Sequence, residues 1–179
     1  MSRINYSDDE EDYTGQYNLW QGNCNRSIRG KSGQAALREL EAALLALPNK
    51  RLIRNAVACN GDVCAVGAYV LLKRAQKAGS TLEGMQRVLE VEMGPEEDQE
   101  DIETDELGVE YGMPRLVAWS LVALNDMQLD TVWEVGHGPI QRGHGSYKGG
   151  IALVREMTPE ERYGRVLAWV RSKLKLEAE

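Results

Sequence analysis

RLIRNAVACNGDVCAVGAYVLLKRAQKAG, residues 51–79, changes its periodicity halfway along, and that change sets the fold class. Asn60-Gly61 separates two short runs of strand-forming residues, the signature of a two-residue turn that needs positive φ at both central positions. A hairpin turning there sets Cys59 opposite Asp62 and Val57 opposite Cys64, so that Cys59 and Cys64 share one face diagonally. From Ala65 the pattern becomes apolar on nearly every side through Leu72, as expected of a helix in the middle of a core. Gly79 is its stop signal.

Outward from this stretch, amphipathic helices dominate. KSGQAALRELEAALLALP has Ser32 as a candidate cap, and Leu37, Leu40, Leu44 and Leu47 form one stripe that Pro48 closes. STLEGMQRVLE offers a capping box from Ser80 to Glu83, with Leu82, Met85 and Leu89 on one side and Gly94-Pro95 as its break. MPRLVAWSLVALNDM restarts with Pro114 in the first turn, and Asn125-Asp126 reads as its terminating cap. TPEERYGRVLAWVRSKLKLEAE carries Thr158 as cap, Glu161 as capping partner and a buried stripe of Tyr163, Val166, Leu167, Val170 and Leu174. Trp119 and Trp169 fall within helices as core or core-edge residues, and Trp20 is placed to pin the N-terminal segment onto the body. The expectation is a mainly α domain of about five helices with one small β-hairpin. It covers residues 18–179, after an acidic flexible arm at 1–17 and with an acidic linker at 94–110 and a glycine-rich loop at 134–150.

The net charge of −7 conceals a segregation. Asp8 to Asp12 is five consecutive acids, and Val88 to Glu110 holds eleven more with no Lys or Arg. The other twelve acids face all 21 basic residues, leaving the remainder of the chain basic by about nine charges. Such acid runs either stay solvated or act electrostatically, by folding back on the basic body or by mimicking a polyanion. The basic groups are Arg26, Arg29 and Lys31 before the leucine stripe, Lys50, Arg51 and Arg54 after it, and Lys73, Arg74 and Lys77 beyond. Two such groups on one face would make a polyanion site, although no nucleic-acid motif is present. The chain has no apolar run of bilayer length, and its polar, acidic beginning is unlike a signal peptide, so no membrane association is expected. Three cysteines, an odd number, suit a reducing cytoplasm.

EVGHGPIQRGHGSYKGG, residues 134–150, contains both histidines of the chain, His137 and His144, each between glycines. A phosphate loop requires Lys-Ser or Lys-Thr after its second glycine; here His144-Gly145 follows Gly143, so that signature fails. The histidines lie seven apart among six glycines, which does not form a helical ligand face. Zinc would have to recruit them with Cys59, Cys64 or Cys24 through the tertiary fold. His137, His144, Cys59 and Cys64 are the candidates for cysteine-dependent catalysis, which no local pattern supports. Otherwise the stretch is a polar loop, cationic through Arg142 and Lys148 around Tyr147, suited to touching an acidic partner.

GDVCAVGAYV, Gly61 to Val70, resembles a Cys-Ala-x-Gly-Ala helix motif of uncharacterised small proteins from phage and prophage genomes. In that group a helix ending in Asn-Asp and then a Thr-capped helix follow, as AWSLVALNDM and TPEERYGRVLAWVRSKL do here; YNLWQGNCNRSIRGKSGQAALRELEAALLALPNKRLI resembles such proteins as well. About thirty residues between Asn125-Asp126 and Thr158, the glycine-rich stretch included, depart from that pattern. The resemblance implies a phage or prophage origin and no known activity. Together with the segregated charge, it leads to the expectation of a non-enzymatic accessory protein without a cofactor, binding a host protein or protein–nucleic acid complex in the host cytoplasm. An inhibitor of host defence fits that description. Expected binding residues are His137, Arg142, His144, Tyr147, Lys148, Arg26, Arg29 and Lys31. A metal- or cysteine-dependent enzyme and a virion component are the alternatives, and direct nucleic-acid binding is a separate alternative that no motif supports.

Overall fold

The computed structural model describes residues 13–99, 102–126, 140–142, 145–147 and 157–174, and the chain is mostly α with a small β-hairpin. Among the described residues the helices are α1 (Tyr13–Arg29), α2 (Lys31–Ala46), α3 (Ala65–Ala78), α4 (Leu82–Met93), α5 (Thr104–Glu110), α6 (Arg115–Asp126) and α7 (Pro159–Lys173). A single 3-10 turn occupies Glu96–Gln99. Strands β1 (Ala58–Cys59) and β2 (Asp62–Val63) pair antiparallel, as do β3 (Ile140–Arg142) and β4 (Gly145–Tyr147). Five of the helices are the five that periodicity predicts. The two beyond them are α1, which starts at Tyr13, and α5, which lies within the acid run.

α3 is central, packed by α2, α4, α5 and α6. Its residues Ala65 to Leu71 are all buried, as an apolar circumference requires. The stripe of α2 enters the same core through Leu37, Leu40, Leu44 and the following Leu47, while α7 contributes Val166 and Val170. The hairpin has the expected register, Cys59 opposite Asp62, with Asn60 at φ 52° and Gly61 at φ 81° in its turn.

Several helix ends differ from the sequence reading for local reasons. Gly30, not Ser32, is the N-cap of α2, because Gln34 N–H bonds the Gly30 carbonyl at 2.9 Å. Thr81, not Ser80, caps α4: its Oγ1 accepts from Gly84 N–H at 3.2 Å, while Ser80 still belongs to the close of α3, its N–H donating to the Ala75 carbonyl at 3.0 Å. The Thr158–Glu161 capping box of α7 is present in full. Asn125 lies in the last described turn of α6. It is buried, its Oδ1 accepting from Ala65 N–H at 3.2 Å and its Nδ2 donating to the Ile53 carbonyl at 2.9 Å.

The Cys-Ala-x-Gly-Ala motif has a structural basis. Cys64 is the N-cap of α3, its Sγ accepting from Gly67 N–H at 3.2 Å. A Cβ on Gly67 would stand 2.3 Å from the Val57 carbonyl oxygen, so only glycine lets the hairpin lie against the first turn of α3. Further along α3, the buried Tyr69 donates its hydroxyl to Glu39 Oε2 at 3.0 Å, and Lys73 Nζ holds Glu39 Oε1 at 2.6 Å.

Two predictions follow from these contacts. Gly67→Ala loses about 3 kcal/mol of unfolding free energy in a denaturant titration, since the obstructing atom is backbone, whereas Cys64→Ser keeps a cap acceptor and stays within about 1 kcal/mol of the parent. The Tyr69 phenol is pushed well above its ordinary value, first by burial and then by the hydrogen bond and charge of Glu39. A raised folded-state value means the tyrosine's stabilisation is complete below about pH 10 and is lost as pH climbs beyond it. Unfolding midpoints measured through that alkaline range therefore fall less steeply in Tyr69→Phe than in the parent.

Candidate functional site

The hairpin region is held by side chains from distant elements. Gln99 Oε1 accepts from Val57 N–H at 2.8 Å, while its Nε2 donates to the Ala58 and Gly94 carbonyls, both at 2.9 Å. Arg162 is buried at the start of α7 and donates to the carbonyls of Leu52 at 2.9 Å and Met157 at 3.4 Å. Arg51 bridges Asp62 at 3.5 Å and Glu160 at 3.0 Å, and Asp62 also accepts from Asn49 Nδ2. A cleft of about 360 Å³ lies here, with Arg51, Arg54, Cys59, Asp62, Glu96 and Arg162 among its walls. Its arginines and carboxylates fasten the loop to α7, which is a structural use of charge. Cys59 is half-buried on its wall and Cys64 caps α3; Cys24, Cys59 and Cys64 are thiols with no disulfide between them. The described residues contain no group of three metal-ligating side chains. His137, His144 and Lys148 lie outside the described residues, so the zinc and cysteine–histidine readings fall there too. Arg142 and Tyr147 are residues of β3 and β4, where Ile140 pairs with Tyr147 and Arg142 with Gly145.

The first basic group occupies a more telling position. Arg26 and Arg29 stand in the last turn of α1 and Lys31 opens α2, all three exposed. Between them the chain turns sharply: a Cβ on Gly33 would stand 2.1 Å from the Ser27 carbonyl oxygen, so α1 and α2 touch backbone to backbone. Buried Gln34 then donates from Nε2 to the carbonyls of Ile28 at 2.8 Å and Lys173 at 3.0 Å. One amide thus joins the end of α1, the start of α2 and the end of α7. The last turn of α7 brings Arg171 and Lys173 to this corner, with Arg171 paired to Glu41 at 2.7 Å. No Asp or Glu occurs from Tyr13 to Arg38 or from Arg162 to Lys173, so both arms of the corner are acid-free.

Helix dipoles separate structural from surplus charge here. Arg26, Arg29, Arg171 and Lys173 lie at helix C-termini, where cations offset the partial negative charge. Lys31 lies at the first position of a helix whose first turn holds no acid, where a cation opposes the dipole. The convergence escapes sequence reading because it depends on Gln34, although a glutamine three residues before Leu37 on an otherwise apolar stripe is a visible signal.

The middle of α1 is fixed by an aromatic pair. Trp20 meets Trp119 of α6 edge-on, with ring centroids 4.4 Å apart and planes at 69°, so Trp20 does pin this segment to the body. Beside that pair Leu19 is 72% exposed and Trp119 44%. No helix among the described residues is long and apolar enough to cross a membrane. Compared with protein-family models, with curated proteins and with solved structures, the chain matches none.

Lys31→Glu is expected to raise unfolding stability by about 0.5 kcal/mol in a denaturant titration, by reversing an unfavourable charge–dipole contact. A loss of stability instead would mean that Lys31 has a structural role.

Proposed function

We propose that this chain is a non-enzymatic binding protein, an accessory protein of phage or prophage type, which attaches to an anionic surface of a host protein or protein–nucleic acid complex in the host cytoplasm. Inhibition of a host defence system is the activity that such attachment serves. The observation that carries this reading is Lys31: a cation placed against its helix dipole, at a corner where the ends of three helices converge and where neither Tyr13–Arg38 nor Arg162–Lys173 contains an acid. Arg26 and Arg29 precede it in the last turn of α1 and Lys173 ends α7, whose backbone meets Gln34, and a group of cations of this kind attracts anionic partners and speeds their docking. The buried polar side chains support the same reading. Gln34, Gln99, Asn125 and Arg162 hold backbone carbonyls and amides, which is the work of a scaffold. The phage character rests on the resemblance of Gly61–Val70 and the helices after it.

The test is capture from bacterial lysate on the immobilised chain, with and without nuclease, beside an Arg26→Glu/Arg29→Glu/Lys31→Glu variant. The parent is expected to retain a defined host macromolecule that the variant loses by about tenfold or more, the retention weakening with added salt. Equal retention by both proteins, or none by either, overturns the proposal.

A further inference from the structure

Asn60-Gly61, the turn of the hairpin, is the sole Asn-Gly pair of the chain, and it carries a chemistry that its structural role does not use. In such a pair the glycine amide nitrogen can attack the asparagine side-chain carbonyl carbon, because glycine has no Cβ to obstruct the ring that forms. Asn60 is exposed, so its amide is open to water. The nitrogen that would attack is held in place. Gly61 N–H donates to Glu90 Oε1 at 2.7 Å, from the last turn of α4. The Gly61 carbonyl in turn accepts from Asn49 Nδ2 at 3.3 Å. Ring closure needs rotation about the Cα–C bond of Asn60. The closed turn, with Asn60 at φ 52° and Cys59 paired to Asp62, fixes that bond.

We propose that Asn60 is a site of self-deamidation and that Glu90 sets its rate by latching the turn shut. The Gly61 nitrogen bonds to Asn60 Cγ, the Cγ–Nδ2 bond breaks, and the Gly61 proton leaves with the amide nitrogen as ammonia. Water, the sole co-reactant, then opens the resulting succinimide, its hydroxyl joining the opened carbonyl carbon and its other hydrogen returning to the Gly61 nitrogen. Opening at Cγ restores the ordinary backbone with an aspartate side chain. Opening at the Asn60 main-chain carbonyl leaves isoaspartate, with the backbone running through the former side chain. Glu90 acts on this sequence as a restraint. A carboxylate is too weak a base to take an amide proton, and its charge opposes the negative charge that builds on the attacking nitrogen. The charge-assisted bond from Gly61 must also break before the turn can rotate. The products differ in effect. Aspartate tolerates the left-handed conformation at this position, whereas isoaspartate lengthens the main chain by a carbon atom and takes Cys59 out of register with Asp62. Both put a carboxylate on the wall of a cleft that Asp62 and Glu96 already line. The hairpin thus has a chemical lifetime governed from α4. This goes beyond the binding function and uses no residue of the basic corner.

Ageing the purified full chain in mildly alkaline buffer, native and in urea, tests it. Peptides spanning Asn60 are followed by mass spectrometry, in heavy-oxygen water so that each hydrolysed ring is marked. The parent is expected to convert at Asn60 slowly when native and fast in urea. Native Glu90→Ala is expected to convert about tenfold faster than the parent, through loss of one hydrogen bond to a charged group, and at the parent's rate in urea. Glu90→Gln, which keeps an acceptor oxygen without the charge, falls between. Hydrogen exchange of the α2 and α3 amides is expected to match the parent in Glu90→Ala, since the turn alone has opened. Native Glu90→Ala converting no faster than the parent overturns the proposal, as does a difference that persists in urea or core exchange that accelerates by the same factor. The absence of conversion at Asn60 in both native proteins overturns it as well. Lysate capture by fresh Glu90→Ala matches the parent whichever way ageing turns out, so this proposal and the binding function fail separately.

Discussion

The peptide group of Val57 is the fixed point of this molecule. Its N–H is held by Gln99 from the turn after α4, and its carbonyl accepts from Cys64 N–H at 2.9 Å while lying against the bare face of Gly67. Around it, the loop from Arg51 to Cys64 is fastened by side chains from elements far apart in sequence: Asn125 at the end of α6, Arg162 at the start of α7 and Gln99 between α4 and α5. A loop with only two-residue strands has few backbone partners of its own, so its polar groups must be satisfied from outside. Helices α4, α6 and α7 are consequently positioned by what this loop needs as well as by apolar packing. That arrangement makes the hairpin structural and directs attention to the rim of the molecule for function.

Legibility in the sequence follows the range of the interaction. Leu37 to Leu47, the apolar circumference of α3, Thr158 with Glu161 and the Asn60-Gly61 turn are decided by neighbours within a few residues, and periodicity or capping chemistry reveals them. α1 is harder. Among its described side chains, the inward side shows half-buried Trp20 and buried Cys24 and Ile28, spaced by four within a polar sequence, so the helical period is present but thin. α5 is masked by its acids, and its burial rests on Gly108, which packs against Val66, Met113 and Ala118. Gln99 and Asn125 could not be assigned locally, since what makes each indispensable is a backbone group some 40 to 70 residues away. Of the candidate site, the cations were legible as sequence groups. Their convergence was not, because it depends on Gln34 reaching Lys173 across the fold.

Charge has a comparable two-level logic. The acid run of Val88–Glu110 is partly neutralised where it touches the body, through Arg74 with Glu92 and Arg115 with Glu106, and Glu90 holds the Gly61 N–H at 2.7 Å. Each helix end at the corner of α1, α2 and α7 has a dipole-compatible cation except the first position of α2, and this single misfit turns an ordinary basic surface into a candidate contact site.

The ties to α7 also bear on how the chain acquires its shape. Arg162 reaches back 110 residues to Leu52, and Gln34 reaches forward 139 to Lys173. During synthesis from the N-terminus, α2, the hairpin and α3 exist well before either partner has been made. The carbonyls of Ile28 and Leu52 must then rely on water or on Gln34 alone, and the face of α2 that α7 will cover stays open. Such a chain has a late-closing core, its final cooperativity arriving only when the last described helix docks. A nascent form halted before that point would leave open the part of α2 that α7 covers, so that last docking step completes the burial of the first predicted stripe.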